Sequence, residues 1–270
     1  MTEICNSPYW NRIVESREHD KTRLSYWFPK LEAANLPVPY TLRTRATLEE
    51  IENLFDVQMG AKPDPAVLCM VDRIAMMAQK MQFERDKAGQ PFFLRTDYTS
   101  GKHNWKNTCY VSDATHDTIL KHMLNILEYS VCNYLPIDTW VIREMLPVSH
   151  YGIFRAYGNM PLAREYRFFV NDNNIERWHP YWPDDAWVRG AVKWTTDYPW
   201  EGNGYLIKRN LAHLDHNEAK DVFALARDAG AVLGGKFSVD IMATDRGWYI
   251  IDCAESEKSD HDPDCQKNKN

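Results

Sequence analysis

Apolar residues recur at helical spacing in four stretches of the chain. In "ATLEEIENLF", Leu48, Ile51, Leu54 and Phe55 follow a capping box made by Thr47 and Glu50, which predicts a helix. A longer helix is predicted over about Ala66 to Lys87, with Leu68, Val71, Ile74, Ala75 and Met81 on one side. Its methionines, Met70, Met76, Met77 and Met81, read as core filling. A third helix, roughly Ala114 to Tyr134, carries Ile119, Leu120, Met123, Leu127 and Val131. The fourth starts at a second capping box, Asp215 with Glu218, aligns Val222, Leu225, Ala226, Ala229 and Leu233, and stops at Gly234-Gly235.

Between these helices the period drops to two. "FFLRTD" and "TCYVSD" read as strands flanking the polar loop "YTSGKHNWKN", which looks flexible. "TWVIREML" is a buried strand that runs into Pro147, and "REYRFFV" and "IERWHPYW" form a hairpin around "NDNN". "FSVDIMATDRGWYIIDCAES" reads as two strands joined by a three-residue turn, Asp245-Arg246-Gly247. The first 58 residues look mostly helical apart from the extended, proline-containing "NLPVPYTL", and "GAKPDP" marks a lobe boundary. "PDDAWVRGAVKWTTDYPWEGNGYLI" is aromatic and loop-rich and has no clear assignment. Mixed helices and hairpins predict an α+β or mixed α/β fold and argue against a doubly wound parallel sheet.

The final hairpin poses the sharpest chemical question. A turn centred on Arg246 sets Val239 opposite Cys253, Ile241 opposite Ile251 and Ala243 opposite Tyr249 on an apolar face. The other face then places Asp240 directly across from Asp252. Two carboxylates ~5 Å apart at an effective dielectric of ~20 repel by roughly 3 kcal/mol. Either one carboxyl is protonated, or a cation bridges the pair, or both groups splay into water, or the register differs.

Composition narrows the field. The chain has 270 residues, is 44% hydrophobic, and carries a formal charge of -6, so no global basic field favours nucleic acid. No apolar run is long enough to span a membrane, and the polar N-terminus is not a signal peptide. The six cysteines form no CxxC pair and read as reduced thiols, which predicts a cytoplasmic protein. Cys109 and Cys253 sit in strands and read as buried structural thiols in preference to nucleophiles. His213 and His216 precede a capping box, lack a second ligand pair, and read as loop surface in preference to zinc ligands.

Two further constellations carry charge. Arg95 lies on an apolar strand just before the loop bearing Lys102 and His103, a combination that suits a phosphate but that by itself reads equally as a solvated basic loop. In "REYRFFV", alternation puts Glu165, Arg167 and Phe169 on one face and Arg164, Tyr166, Phe168 and Val170 on the other.

In this order the pieces resemble the ATP-grasp superfamily, in the phage or bacterial branch related to the cell-division-cycle protein 123 family. "FFLRTDYTSGKH" resembles its phosphate-covering strand and loop, with Arg95 where most members place a lysine. "WVIREML" resembles the adenine hinge, "REYRFFV" the Glu-x-Arg strand, and the last hairpin the magnesium-ligand strands. "WFPKLEAANLPVPYT" resembles the N-terminal approach of these proteins, so the similarity covers nearly the whole chain.

The resemblance implies a nucleotide cleft between two α+β lobes. It divides the chain into an N-terminal segment (1–58), a small lobe with the phosphate loop (59–138) and a large lobe with hinge and metal hairpin (139–270). It implies ATP and magnesium as cofactors. Asp240 and Asp252 would ligate the metal; the family's usual asparagine position is Ala254 here, and Glu255 would take its place. Arg95 and Lys102 would hold phosphates, Arg143, Glu144, Met145 and Leu146 would line the adenine hinge, and Glu165 would reach the ribose. Arg167 would face the phosphates or an acylphosphate, His103 the γ-phosphate, and His179 and His261 are weaker candidates near the cleft. The implied reaction is ATP-dependent ligation of a carboxylate to an amine or similar nucleophile through an acylphosphate, with ADP released. A small molecule or peptide is the implied substrate, in host cytoplasm if the chain is phage-encoded. The alternatives are a non-catalytic ATP-binding assembly factor, or a phosphotransferase or ligase acting on nucleic acid, which the net charge disfavours.

Overall fold

The structure is a computed structural model that describes residues 15, 19–86, 88–182, 200–201, 203–259 and 265–267. In chain order it contains α1 (Leu24–Ala33), β1 (Thr41–Arg45), α2 (Leu48–Gln58), α3 (Pro65–Glu84), β2 (Phe92–Thr96) and β3 (Tyr110–Val111). Then come α4 (His116–Cys132), β4 (Thr139–Glu144), β5 (Gly152–Phe154), β6 (Met160–Leu162), β7 (Glu165–Asn171) and β8 (Asn174–Pro180). The chain ends with β9 (Trp200–Glu201), α5 (Gly204–Ala212), α6 (His216–Leu233), β10 (Lys236–Thr244), β11 (Gly247–Glu255) and β12 (Gln266–Lys267). The strands form antiparallel sheets, so the fold is mixed α+β. No helix among the described residues is long and apolar enough to cross a membrane.

The chain divides into two units whose limits differ from those predicted. Unit 1 is Tyr40–Met145 with Met1–Asp20, and unit 2 is Leu146–Asn270 with Lys21–Pro39. The predicted N-terminal segment is therefore split between the units. The predicted 138/139 boundary moves to 145/146 because β4 is hydrogen-bonded on both sides, to β1 and to β2.

Unit 1 is a four-stranded sheet of order β1-β4-β2-β3. One face carries Phe92, Leu94, Trp140 and Ile142, which join Ile51, Leu54, Ile74 and Ile126 of the helices in one buried core. The capping box at Thr47 and Glu50 forms as predicted, and Asp64 caps α3 through the Val67 N–H. Met70 and Met81 fill this core, whereas Met76 is 68% exposed, because its position turns outward on α3.

Unit 2 is built on the sheet β11-β10-β7-β8-β12, with a short sheet β6-β5-β9 beside it in the chain. Tyr166, Phe168, Val170, Val239 and Ile241 are buried on one face, against α6. Phe168 meets Phe223 of α6 edge to face at 5.1 Å. The second capping box forms at Asp215 and Glu218, and Arg164 grips Glu218 with two bonds of 2.7 and 2.6 Å. Helix α6 approaches the β7–β8 turn so closely that a Cβ on Gly230 would lie 2.0 Å from the Asp172 carbonyl oxygen. Along the β11 edge, Lys21–Pro39 supplies partners: Ile250 N–H donates to Pro37 O at 2.8 Å and Glu255 N–H to Thr22 Oγ1 at 3.3 Å.

Candidate functional site

The acid pair in unit 2 sits in a regular ladder. Asp240 pairs with Asp252, and Val239 with Cys253, as the sequence predicts. Nearer the turn the register departs from the prediction: Ile241 pairs with Ile250, and Ala243 with Trp248. The loop is two residues, Asp245-Arg246, and a bulge between the Asp240 and Ile241 rungs absorbs the residue assigned to a longer turn. The run Tyr249-Ile250-Ile251 carries the signal, since three consecutive apolar residues break the alternation of a one-sided strand. The bulge brings Tyr249 opposite Met242, onto the face of Asp240.

The third side chain in the row answers the repulsion. β10 pairs on its other side with β7, and Asp240 lies opposite Arg167. Arg167 Nε donates to Asp240 Oδ1 at 2.7 Å and Nη2 to Oδ2 at 2.8 Å. Its guanidinium also lies 4.8 Å from the centre of the Tyr181 ring. Burial on its own would lower the Arg167 pKa, but the Asp240 charge and hydrogen bonds outweigh it and hold the group firmly protonated. The cation that neutralises Asp240 is thus built into the chain. Tyr181, which the sequence reading passed over, completes the setting; its signal is a ring within "HPYW" next to the alternating Glu165/Arg167 strand.

The remaining predicted residues of unit 2 fall around this row. His179 lies opposite Arg167 on β8, is 6% exposed, and its Nδ1 lies 2.7 Å from Pro180 O. Glu165 is buried opposite Met242, on the Asp240 face. Glu255 lies elsewhere: strand alternation turns it to the face opposite Asp252, where its carboxylate meets Lys258 Nζ at 2.8 Å. Ser238 is the residue opposite Ala254, and its hydroxyl lies 2.6 Å from Ser259 Oγ. Among the described residues no three His, Cys, Asp or Glu side chains cluster in a way that could hold a metal ion. His261 lies outside the described residues.

Unit 1 carries the predicted basic residues. Arg95 and Arg143 share the sheet face opposite the core, since Arg95 pairs with Val141 and Phe93 with Arg143. Both are buried; Arg95 Nε donates to Thr96 O at 3.0 Å and Arg143 Nε to Thr41 Oγ1 at 3.2 Å. Glu144 belongs to the other face, where its Oε1 accepts the Tyr40 N–H at 3.0 Å and its Oε2 lies 3.4 Å from Arg85 Nε. Both of its oxygens thus serve the β1–β4 end of unit 1. Met145 and Leu146 follow β4, half-buried, at the division between the units.

Lys102 and His103 open a 3-10 turn, Lys102–Asn104, that begins at Gly101 with φ 61°. The loop around them is ordered by its own bonds. Thr99 N–H donates to Thr96 Oγ1 at 2.9 Å, and Trp105 packs against Phe93 and Tyr110 with ring centres 5.8 Å apart in each pair. Cys109 closes the loop as a structural thiol: burial pushes its pKa up to about 12 against the opposing charges of Lys102 and Arg95.

No protein-family model and no curated protein matches the chain. Among solved structures, its fold is similar to that of C-terminally truncated Cdc123 from Schizosaccharomyces pombe, with TM-score 0.52 and 10% identity over 91% of this chain and 85% of that one. A second Cdc123 structure from the same organism gives TM-score 0.50 and 12% identity over 91% and 85%. D-alanine–D-alanine ligase from Bacillus anthracis, complexed with ATP, aligns at TM-score 0.44 and 9% identity over 87% of this chain and 54% of that one. The chain therefore shares the fold of Cdc123.

Proposed function

We propose that this chain is an ATP- and magnesium-dependent ligase of the ATP-grasp type, joining a carboxylate to an amine or a similar nucleophile through an acylphosphate, with release of ADP and then of inorganic phosphate. The observation that carries the reading is the rung Asp252–Asp240–Arg167, two acids and a guanidinium aligned on one sheet face of unit 2. Magnesium suits such a set, because it takes one or two carboxylates and fills its other positions with water and phosphate oxygens. Asp240 already accepts positive charge here, from Arg167. Asp240 and Asp252 would hold the metal, whose chemistry is to neutralise charge on the nucleotide phosphates. Glu255 faces the wrong way to join them.

In this reading Arg95 and Lys102 neutralise phosphate charge, and His103 lies next to Lys102 for the γ-phosphate. Arg167 orients the phosphoryl oxygens or stabilises an acylphosphate, a task suited to its planar, permanently charged group. The catalytic contribution is placement and charge neutralisation rather than covalent chemistry by the protein. Backbone groups of Arg143, Met145 and Leu146 would meet the base; Glu144 supports them through Tyr40 and Arg85.

A second reading, a non-catalytic ATP-binding assembly factor, is favoured by the likeness to Cdc123 and by Ala254 standing where the family's asparagine is usual. Calorimetry and an acceptor screen separate the two. Wild-type protein should bind ATP in magnesium and lose that binding in EDTA, and Asp252→Asn should weaken it at least ~10-fold. Release of ADP with one class of carboxylate and amine supports the ligase; tight binding without ADP release on any acceptor supports the assembly factor. ATP affinity unchanged by Asp252→Asn and by EDTA rules out both metal assignments.

A further inference from the structure

Thr108 and His122 have no part in the roles assigned above, yet they determine the shape of the basic loop. Thr108 is 1% exposed, and its hydroxyl lies 2.5 Å from Gly101 O and 2.8 Å from Asn104 O. Those two carbonyls bracket the turn that carries Lys102 and His103. The Thr108 backbone N–H returns to Asn104 O at 3.0 Å. Gly101 leaves no slack: a Cβ there would lie 2.9 Å from Thr108 Cβ.

Helix α4 then holds Thr108 from behind. His122, 6% exposed, donates its Nδ1–H to Thr108 O at 2.6 Å. The carbonyl can only accept, so Nδ1 carries the proton, and burial lowers the ring's pKa. Asn125 Nδ2 donates to Asn107 O at 2.7 Å, and Ser130 Oγ to Thr99 Oγ1 at 3.1 Å. One helix thus ties the loop at three points.

We infer that Thr108 and His122 are positioning residues, which fix the Lys102–His103 turn in its phosphate-binding shape before any nucleotide arrives. The inference rests on the phosphate role proposed for Lys102. Its physical content is preorganisation: ordering a loop on binding costs affinity, and a loop already ordered avoids that cost. The loop that the sequence presents as flexible is a built support.

Hydrogen exchange and calorimetry test it in the full chain. In nucleotide-free protein the amides of Asn104, Asn107 and Thr108, each internally bonded, should be protected. Thr108→Val, which keeps the shape and removes the hydroxyl, should speed their exchange and weaken magnesium–ATP binding about tenfold. Thr108→Ser, which restores the hydroxyl, should recover both. If Thr108→Val does not fold, Asn125→Ala loosens the loop from the solvent side and should move both readouts in the same direction, by less. Loop amides that are unprotected until ATP is added overturn the inference. So does a Thr108→Val or Asn125→Ala protein with faster loop exchange and undiminished ATP affinity. Wild-type protein with a protected loop but no ATP binding overturns instead the phosphate role of Lys102, and with it the function proposed above.

Discussion

Unit 2 and unit 1 place their charged side chains by different means. In unit 2, Asp252, Asp240 and Arg167 hang from three adjacent strands, and their spacing is the ladder's own. In unit 1, Lys102 and His103 sit on a loop whose shape comes from side chains reaching backbone carbonyls, those of Thr108, His122 and Asn125. A ladder fixes position through bonds that every residue makes, so sequence changes elsewhere on the strand leave it intact. A strapped loop relies on a few particular side chains, each of which can be lost alone. The comparison teaches where each half is vulnerable: the ladder at its buried charges, the loop at its hydroxyl, imidazole and glycine.

The largest effect should come from the ladder. Asp240→Ala leaves the Arg167 guanidinium, 15% exposed, without its bidentate partner. Removing one partner of such a buried pair costs about 3–5 kcal/mol, which urea denaturation would read as a large drop in midpoint. A loss below ~1 kcal/mol would mean that Arg167 is held mainly by Tyr181 and not by the rung.

A smaller effect should come from the loop. Gly101→Ala adds a Cβ at φ 61° and presses it on Thr108. Gly89→Ala is the matched control, since Gly89 has φ 70° and open space around the added atom. Each should lose about 1–2 kcal/mol for the left-handed backbone, with an extra loss in Gly101→Ala alone. Equal losses in denaturation would show that Thr108 gives way freely and that the loop is less firmly built than its bonds imply.

The smallest effect concerns the helix side of unit 2. The Arg164 guanidinium, with its hydrogen bonds to Glu218, holds that carboxyl below its ordinary 4.5. A depressed folded-state pKa contributes stability that is present above the unfolded pKa and lost as pH falls through the folded one. Stability should therefore decline below about pH 4.5, and Glu218→Gln should flatten that part of the curve while lowering the plateau at neutral pH by under ~1 kcal/mol. Urea midpoints measured from pH 7 to pH 3 for both proteins check this. An unaltered slope below pH 4.5 would place the acid sensitivity elsewhere.

Much of unit 2's chemistry was legible in the one-dimensional pattern because a strand has a single rule. Alternation in "REYRFFV" is enough to separate Arg164 and Tyr166 from Glu165 and Arg167, and the structure keeps that separation. The acid pair followed from counting back from the turn, even though the turn itself was misjudged. The bulge at Ile251 compensates for the shorter loop, so the count holds at Asp240 and Asp252 and fails only between there and the turn. The loop in unit 1 offered no such rule. Thr108 is 7 residues from Gly101, and His122 is 14 from Thr108, and no periodicity links them.

The amino-acid order by itself determined four of the helices, two of them with their capping boxes, the faces of β7 and β10 and the opposition of Asp240 and Asp252, because each follows from bonds and alternation over a few neighbouring residues. Tertiary structure alone decided that Arg167 neutralises Asp240, that Glu144 serves Tyr40 and Arg85, and that β4 belongs to unit 1. Those outcomes depend on which strand lies next to which. Strand order is set by the long-range burial of whole faces, and no local pattern encodes it.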